Sequence, residues 1–394
     1  MTTKPIDGVE KMHCQKDRFY LPDHVTYLNC AYMSPQLKVV METGVKAMGR
    51  KNLPYEIAPR DFFDTPELLR RTFSKLINNA EPDRIAIIPS VSYGISIVTN
   101  NVDLKPGDQI LVAAEQFPSN FYPWHKLSVR KQAQLNIVKA PEGNDRGQGW
   151  NESILENINE KTKIVALGNV HWTDGTRFDL RAIRTKTREA GALLVVDGTQ
   201  SVGALPFDME DIQPDALICA GYKWLLGPYA ITLAYLGPCF DEGDPLEENW
   251  INRRNSEHFA GLVSYVHEYR DKALRYAMGE QSNFILTPML QKAIEQLNEW
   301  GVSNIQNYCA RMTDDPVREL QSLGISIEDE RYRGAHLFGL RTPPNMDMEA
   351  LADRFKKNEV YISIRGNAIR VAFNVFNDEN DMDKLVEIIK KVSK

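Results

Sequence analysis

Apolar positions in this chain fall into short continuous runs separated by longer amphipathic stretches. Residues Ile85–Ile88, 110–114, 164–170, 192–196, 215–220 and 231–236 are such runs. Each is too short for a helix and is bounded by turn residues, which predicts buried strands. Between and around them the apolar spacing is helical. Residues 35–79 read as helix broken at Pro54 and Pro59, and 181–190 as helix. After Pro288, Leu290, Ala293, Ile294, Leu297 and Trp300 fall on one helical face, and a second helix runs to Leu323. The end of the chain reads as strand 336–340, helix Met348–Lys357, strands 361–364 and 369–373, and helix 381–391. Strands alternating with helices predict an α/β fold with a mostly parallel sheet. We divide the chain into an arm (1–25), a large domain (26–275) and a small C-terminal α/β domain (276–394).

In open α/β sheets, ligands sit beyond the carboxyl ends of the strands. Asp197 stands at the end of one run, and Gly221-Tyr222-Lys223 follows the next. Alone, an aspartate there reads as a turn or cap residue and a lysine as a solvated side chain. Together they are the pairing that pyridoxal phosphate needs: an acid that keeps the ring nitrogen protonated, and a lysine that holds the aldehyde as a Schiff base. Gln200, three residues after the acid, narrows the pattern further.

The segments VDGTQSVGALPFD and AGYKWLLGP resemble the signature of class V aminotransferases, which are fold-type I pyridoxal-phosphate enzymes. That group includes cysteine desulfurases, selenocysteine lyases, kynureninases and isopenicillin N epimerase. The resemblance implies a large domain with a seven-stranded sheet, a homodimer, and pyridoxal 5′-phosphate bound through Lys223. It implies that Gln200 hydrogen-bonds the cofactor's 3-hydroxyl and that Tyr222 contacts its phosphate. Asn29 and Cys30 match a segment that passes close to the substrate. Cys30 reads either as a reactive thiol or as a packed residue. The packed reading is favoured, because free cysteine behaves mainly as a small hydrophobe.

Ser90-Val91-Ser92 follows a strand and opens an apolar helix. Free N–H groups at a helix start suit a phosphate, whereas the ordinary reading is a serine cap. With the lysine signature present we read it as the phosphate turn, with Ser92 as its leading side chain. Phe117 resembles the aromatic of kynureninase-like loops that stacks on the cofactor ring. Asn120 stands where kynureninases carry an acid, which argues against that activity. His171 is a candidate acid–base or polar contact. Trp172 occupies a position where many relatives place an asparagine near the 3-hydroxyl.

Residues 275–283 resemble a segment that crosses the dimer interface to the partner's phosphate. Glu280 would repel a phosphate, so Gln281 or Ser282 is left to contact it. Arg370 matches the arginine that grips the substrate α-carboxylate, for which a planar fork is suited.

At 394 residues, the chain is long enough for two domains. A net charge of −6 gives no reason to expect a nucleic acid or an anionic membrane as partner. Five cysteines without close spacing provide no metal knuckle and no CxxC, so no metal is expected. An odd count with a polar N-terminus points to a reducing, cytoplasmic setting. No apolar run approaches the roughly 20 residues of a membrane helix. There is no phosphate loop of the nucleotide type.

The expected function is that of an enzyme acting on a small amino acid through Lys223, of aminotransferase or lyase type. Selenocysteine-lyase-like, desulfurase-like and epimerase activities are alternatives. Desulfurases need a mobile cysteine before the arginine strand, and residues 363–368 contain none. A non-catalytic regulator would be expected to lose Lys223 or Asp197.

Overall fold

The structure is a computed structural model that describes residues 11–143, 145–365 and 368–392. Its strands are β1 (Thr26–Tyr27), β2 (Ile85–Ile88), β3 (Gln109–Ala113), β4 (Gln134–Val138), β5 (Thr162–Gly168) and β6 (Leu193–Asp197). They continue with β7 (Ala216–Ala220), β8 (Thr232–Leu236), β9 (Leu337–Arg341), β10 (Val360–Tyr361), β11 (Ser363–Arg365) and β12 (Ala368–Ala372).

Seven strands form the main sheet in the order β2-β8-β7-β6-β5-β3-β4. β4, β3, β5, β6 and β7 are mutually parallel. β8 runs antiparallel to both β7 and β2, so β2 points the same way as the parallel group. The fold is α/β, as the alternation predicts. Continuous apolar runs suit strands covered on both faces. Accordingly, alternate residues feed two separate cores. Ile88, Ile110, Val112 and Ile164 pack with Ile95 and Trp124 of the helices Val91–Asn100 and Tyr122–Lys131. Ile87, Leu111, Val165 and Leu194 belong to the larger core, shared with Phe73, Trp150, Ile183 and Leu290 from four other helices.

Helix ends follow local chemistry. Asp179 accepts from the Arg181 and Ala182 N–H groups and starts the helix Leu180–Ala190, and Gly191 ends it at φ 66°. That left-handed turn is open to glycine without a Cβ penalty.

The C-terminal unit holds an antiparallel sheet, β11-β12-β9, with the helices Met348–Lys357 and Glu379–Lys390. β1 pairs in parallel with β10. Gln15 N–H donates to the Val375 carbonyl (2.7 Å), and Phe19 packs edge-on against Phe376. Residues 11–25, read from sequence as a loose arm, are therefore tied to the C-terminal unit, and residues 1–10 lie outside the described residues. No helix among the described residues is long and apolar enough to cross a membrane. No cluster of three His, Cys, Asp or Glu among them is placed to hold a metal.

Candidate active site

The carboxyl ends of β2, β3, β5, β6 and β7 share one rim with the start of β8. A cavity of about 320 Å³ opens there. It is lined by Ser90, Val91, Ser92, Phe117, Trp172, Asp197, Gln200, Tyr222 and Lys223, all anticipated from sequence.

Lys223 projects from a loop that closes on itself. Gly221 and Gly227 N–H groups donate to the Ile231 and Gly221 carbonyls (3.0 and 2.8 Å). A Cβ on Gly221 would lie 2.6 Å from the Ile231 carbonyl oxygen, so only glycine fits. Leu226 and Ala230 hold left-handed φ of 55° and 65°. Such strain, about 1 kcal/mol or more per residue, is tolerated where the surroundings dictate the turn. Lys223 is 6% exposed, with Nζ 5.3 Å from the centre of the Phe117 ring. Burial lowers its ammonium group to about 8; Asp197 opposes that shift, and Arg370 adds to it.

Asp197 ends β6 and accepts the Thr199 N–H (3.0 Å). Burial raises its carboxyl despite Thr199 and Lys223. Gln200 is held by its neighbours. It accepts from Trp224 Nε1 (3.0 Å) and donates to the Ala31 carbonyl (3.1 Å). Tyr222 packs at a tilt against Tyr229, with ring centres 4.6 Å apart and planes at 57°. Its carbonyl accepts from the Ser34 N–H (3.1 Å), which ties the N-terminal segment to the lysine loop.

Ser90 caps the helix Val91–Asn100, accepting the Tyr93 N–H (3.2 Å), and its hydroxyl lies 2.9 Å from that of Ser92. The cap and the cavity wall are thus the same residues. Phe117 meets Trp172 edge-on at 5.4 Å. Glu115, at φ 54°, turns this loop inward, and its carbonyl accepts from Trp172 Nε1 (2.6 Å).

Other expected residues lie elsewhere. His171 is buried outside the cavity wall, with Nδ1 2.8 Å from the Thr173 hydroxyl and Nε2 3.1 Å from the Ala114 carbonyl. Its ring packs 4.8 Å from Trp150. Both ring nitrogens are engaged, so its place is in the support of the loop rather than at an acid–base position.

Cys30 is fully buried, accepts from Asn374 Nδ2 (3.4 Å), and its thiol is pushed up to about 12 by burial. Packing is the role its position fits. Gln281 accepts from Arg70 (2.7 Å), and Ser282 donates to the Phe62 carbonyl. Neither reaches this cavity within the chain.

Arg370 on β12 is 2% exposed. It donates to the Trp172 carbonyl (2.7 Å) and to Asn29 Oδ1 (3.4 Å), the latter also accepting from Ser363 (2.8 Å). It therefore touches the backbone of Trp172, a cavity-wall residue, and adjoins the cavity rather than lining it. Burial lowers its guanidinium to about 10.

Three features were not anticipated. Thr199 braces Asp197, and its hydroxyl accepts the Ala220 N–H (3.2 Å), joining β6 to β7. It stands between Asp197 and Gln200 in the motif, which is the signal that would have found it. Tyr229 and Thr232 line the mouth. Behind the wall, Asp174 is buried and ion-paired with Arg146 (3.1 Å) and with Arg341 of β9. Burial opposes its ionisation. Hydrogen bonding to His171 and the charges of His171 and Arg341 nevertheless hold it well below the usual carboxylate range.

A buried, low-shifted amine, a half-buried acid without a close ion pair, hydroxyls at a helix N-terminus and a flat aromatic wall converge on one cavity. This donor set fits pyridoxal phosphate. Residues 60–385 match the family described as aminotransferase class-V. The chain belongs to that family. Membership makes it an enzyme of the pyridoxal-phosphate-dependent aminotransferase and lyase group.

Among its relatives, the uncharacterized aminotransferase YcbU of Bacillus subtilis is 26% identical over 331 residues, covering 84% of either chain. A probable cysteine desulfurase of Staphylococcus epidermidis is 26% identical over 356 residues, covering 83% of this chain and 81% of that one. The apo cysteine desulfurase of Thermococcus onnurineus NA1 superposes with a TM-score of 0.82 at 18% identity, covering 97% and 99% of the two chains. The cystine C-S lyase C-DES, in complex with its product cysteine persulfide, gives 0.82 at 19% identity, covering 94% and 98%. At these identities the structural likeness speaks for the fold.

Proposed function

We propose that this class-V enzyme binds pyridoxal 5′-phosphate through Lys223 and transforms a small amino acid by transamination or elimination. The meeting of Lys223 and Asp197 at one buried rim carries this reading. Pyridoxal phosphate supplies an electron sink for charge that develops next to the substrate nitrogen. Asp197 is the acid to pair with the ring nitrogen's proton. The hydroxyls of Ser90 and Ser92, with the N–H groups of their turn, are the phosphate site. Phe117 supplies the stacking face and excludes water. Lys223 is the covalent anchor and, once displaced, the base that moves the proton at the α-carbon. Its lowered value of about 8 supports that task, because a general base works best near the operating pH. Arg370 reads the α-carboxylate.

A desulfurase of the usual kind has less support. Residues 363–368, the stretch before the arginine strand, contain no cysteine.

A homodimer is part of this proposal. Met41, Val45 and Met48 on the helix Lys38–Arg50 are exposed beside a groove of about 730 Å³ that Trp250, Glu280 and Ser282 also line. Five free cysteines agree with a cytoplasmic setting.

The visible spectrum of the purified enzyme, mixed with L-amino acids and no keto acid, tests the reaction type. A stable shift reversed by a 2-keto acid means transamination. Return to the starting band with release of product means elimination. No cofactor band after adding pyridoxal phosphate would refute the reading of Lys223 and Asp197.

A further inference from the structure

Two arginines touch Trp172, and among the described residues neither has an acid to pair with. Arg370 donates to the Trp172 carbonyl (2.7 Å), and the Arg365 guanidinium lies 5.8 Å from the centre of the Trp172 ring. In the hairpin, Ser363 is opposite Arg370 and Arg365 is opposite Ala368. Residues two apart on a strand share a face, so Arg365 and Arg370 project from the same face as diagonal neighbours, about 7–8 Å apart at the backbone.

The Nε of each is buried without a hydrogen-bond partner. Among the described residues, Arg365 Nη1 donates to the Ile364 carbonyl (3.0 Å) alone. No aspartate or glutamate among the described residues forms an ion pair with either, and the groups that favour the charge on Arg370 are Tyr27 and Cys30.

This arrangement is unfavourable by itself. Like charges on one face repel, and a buried N–H left without an acceptor is destabilising. The usual remedy is an internal acid, and here none is supplied. A single carboxylate matches a single planar fork. With Arg370 taking the α-carboxylate, the fork of Arg365 remains open to a second anion.

The geometry points to Arg365 as the anchor for an acidic group on the substrate side chain. The preferred substrates are then amino acids with a second acid, of the aspartate, glutamate or cysteine-sulfinate class. Trp172 is the partition: its carbonyl fixes the α-carboxylate site and its ring borders the side-chain site. This inference rests on the cofactor reading given above.

The test uses the full-length enzyme loaded with pyridoxal phosphate. Changes in its visible band are titrated with L-alanine, L-aspartate, L-glutamate and L-cysteine sulfinate. At least one acidic amino acid should bind about tenfold or more tightly than alanine. Arg365→Ala should reduce that ratio at least about fivefold, and Arg365→Lys should restore part of it. Equal affinities in the unaltered enzyme would overturn the inference while leaving the cofactor reading intact. An unchanged ratio in Arg365→Ala would also overturn it, since both arginines would then serve one carboxylate. Absence of any cofactor band would overturn the cofactor reading, and this inference with it. A normal far-ultraviolet spectrum and band in Arg365→Lys guards against misfolding as the cause.

Discussion

Asp174 is a buried and Asp197 a half-buried aspartate near the carboxyl rim of the sheet, and their environments push them in opposite directions. Asp174 has Arg146, Arg341, His171 and the Thr176 N–H around it, and stays ionised. Asp197 has only Thr199 and a more distant Lys223, and its ionisation is disfavoured. The first is a completed structural joint that links the loop after β5 to β9. On the proposed reading, the second is an incomplete pair held ready for a cation that the cofactor brings. Within one fold, satisfied charge marks scaffold and unsatisfied charge marks the site.

The largest effect should come from the site itself. Lys223→Ala should lower turnover by at least about a thousandfold while the thermal unfolding transition stays in place. Residual turnover near that of the unaltered enzyme would remove Lys223 from its role.

Next comes the contrast between the acids. Asp174→Asn leaves two half-buried arginines without their partner and should cost about 1–3 kcal/mol in denaturant unfolding. Asp197→Asn in the cofactor-free protein should cost less than about 1 kcal/mol, yet weaken cofactor binding strongly. Equal losses in the two variants would erase the distinction.

The pH dependence carries the same contrast. The carboxyl of Asp174 is lowered on folding, so its contribution is present above the ordinary carboxylate value and is lost as pH falls below it. Asp197 is raised, so in the cofactor-free protein its protonated form favours folding, and that contribution is lost as pH rises through its folded value. Unfolding curves of the two Asn variants against pH should therefore approach the parent in acid and diverge from it in opposite directions above the carboxylate range, Asp174→Asn falling below it and Asp197→Asn rising above it.

A smaller effect follows from Lys223 at about 8: the rate of cofactor uptake should rise about tenfold from pH 7 to 9 and then level off. A continued rise toward pH 10.5 would mean an unshifted lysine. The smallest effect is expected at Cys30. Cys30→Ala should leave turnover within about twofold, and the native thiol should resist alkylation.

Much of this was legible because buried strands write themselves as continuous apolar runs, and because Asp197 and Lys223 interrupt such runs at their ends. β4 was not, since Gln134 and Ile137 are exposed at a sheet edge and the run there is broken by polar residues. The reversed direction of β8 leaves no local trace, because pairing partners are chosen across the sheet. His171 was placed at the correct rim but on the wrong side of it. The loop turns residue 172 toward the cavity and residue 171 toward Trp150, and sequence spacing does not encode that turn. Asp174 was missed because its partners, Arg146 and Arg341, come from distant segments. Gln281 and Ser282 proved to be held within their own chain by Arg70 and Phe62.

The pairing of β1 with β10 has a consequence for how the enzyme is born. Asn29 meets Arg370, and Thr26 and Tyr27 meet Val360 and Tyr361, so both contacts wait for the end of the chain to be made. On a ribosome, the first partner emerges while more than three hundred residues remain to be made, roughly twenty seconds to a minute of synthesis. During that interval the N-terminal segment has no strand to join. Lys223 and Asp197 can meet earlier, so under the proposed function the nascent chain is able to capture its cofactor before it is able to grip a substrate.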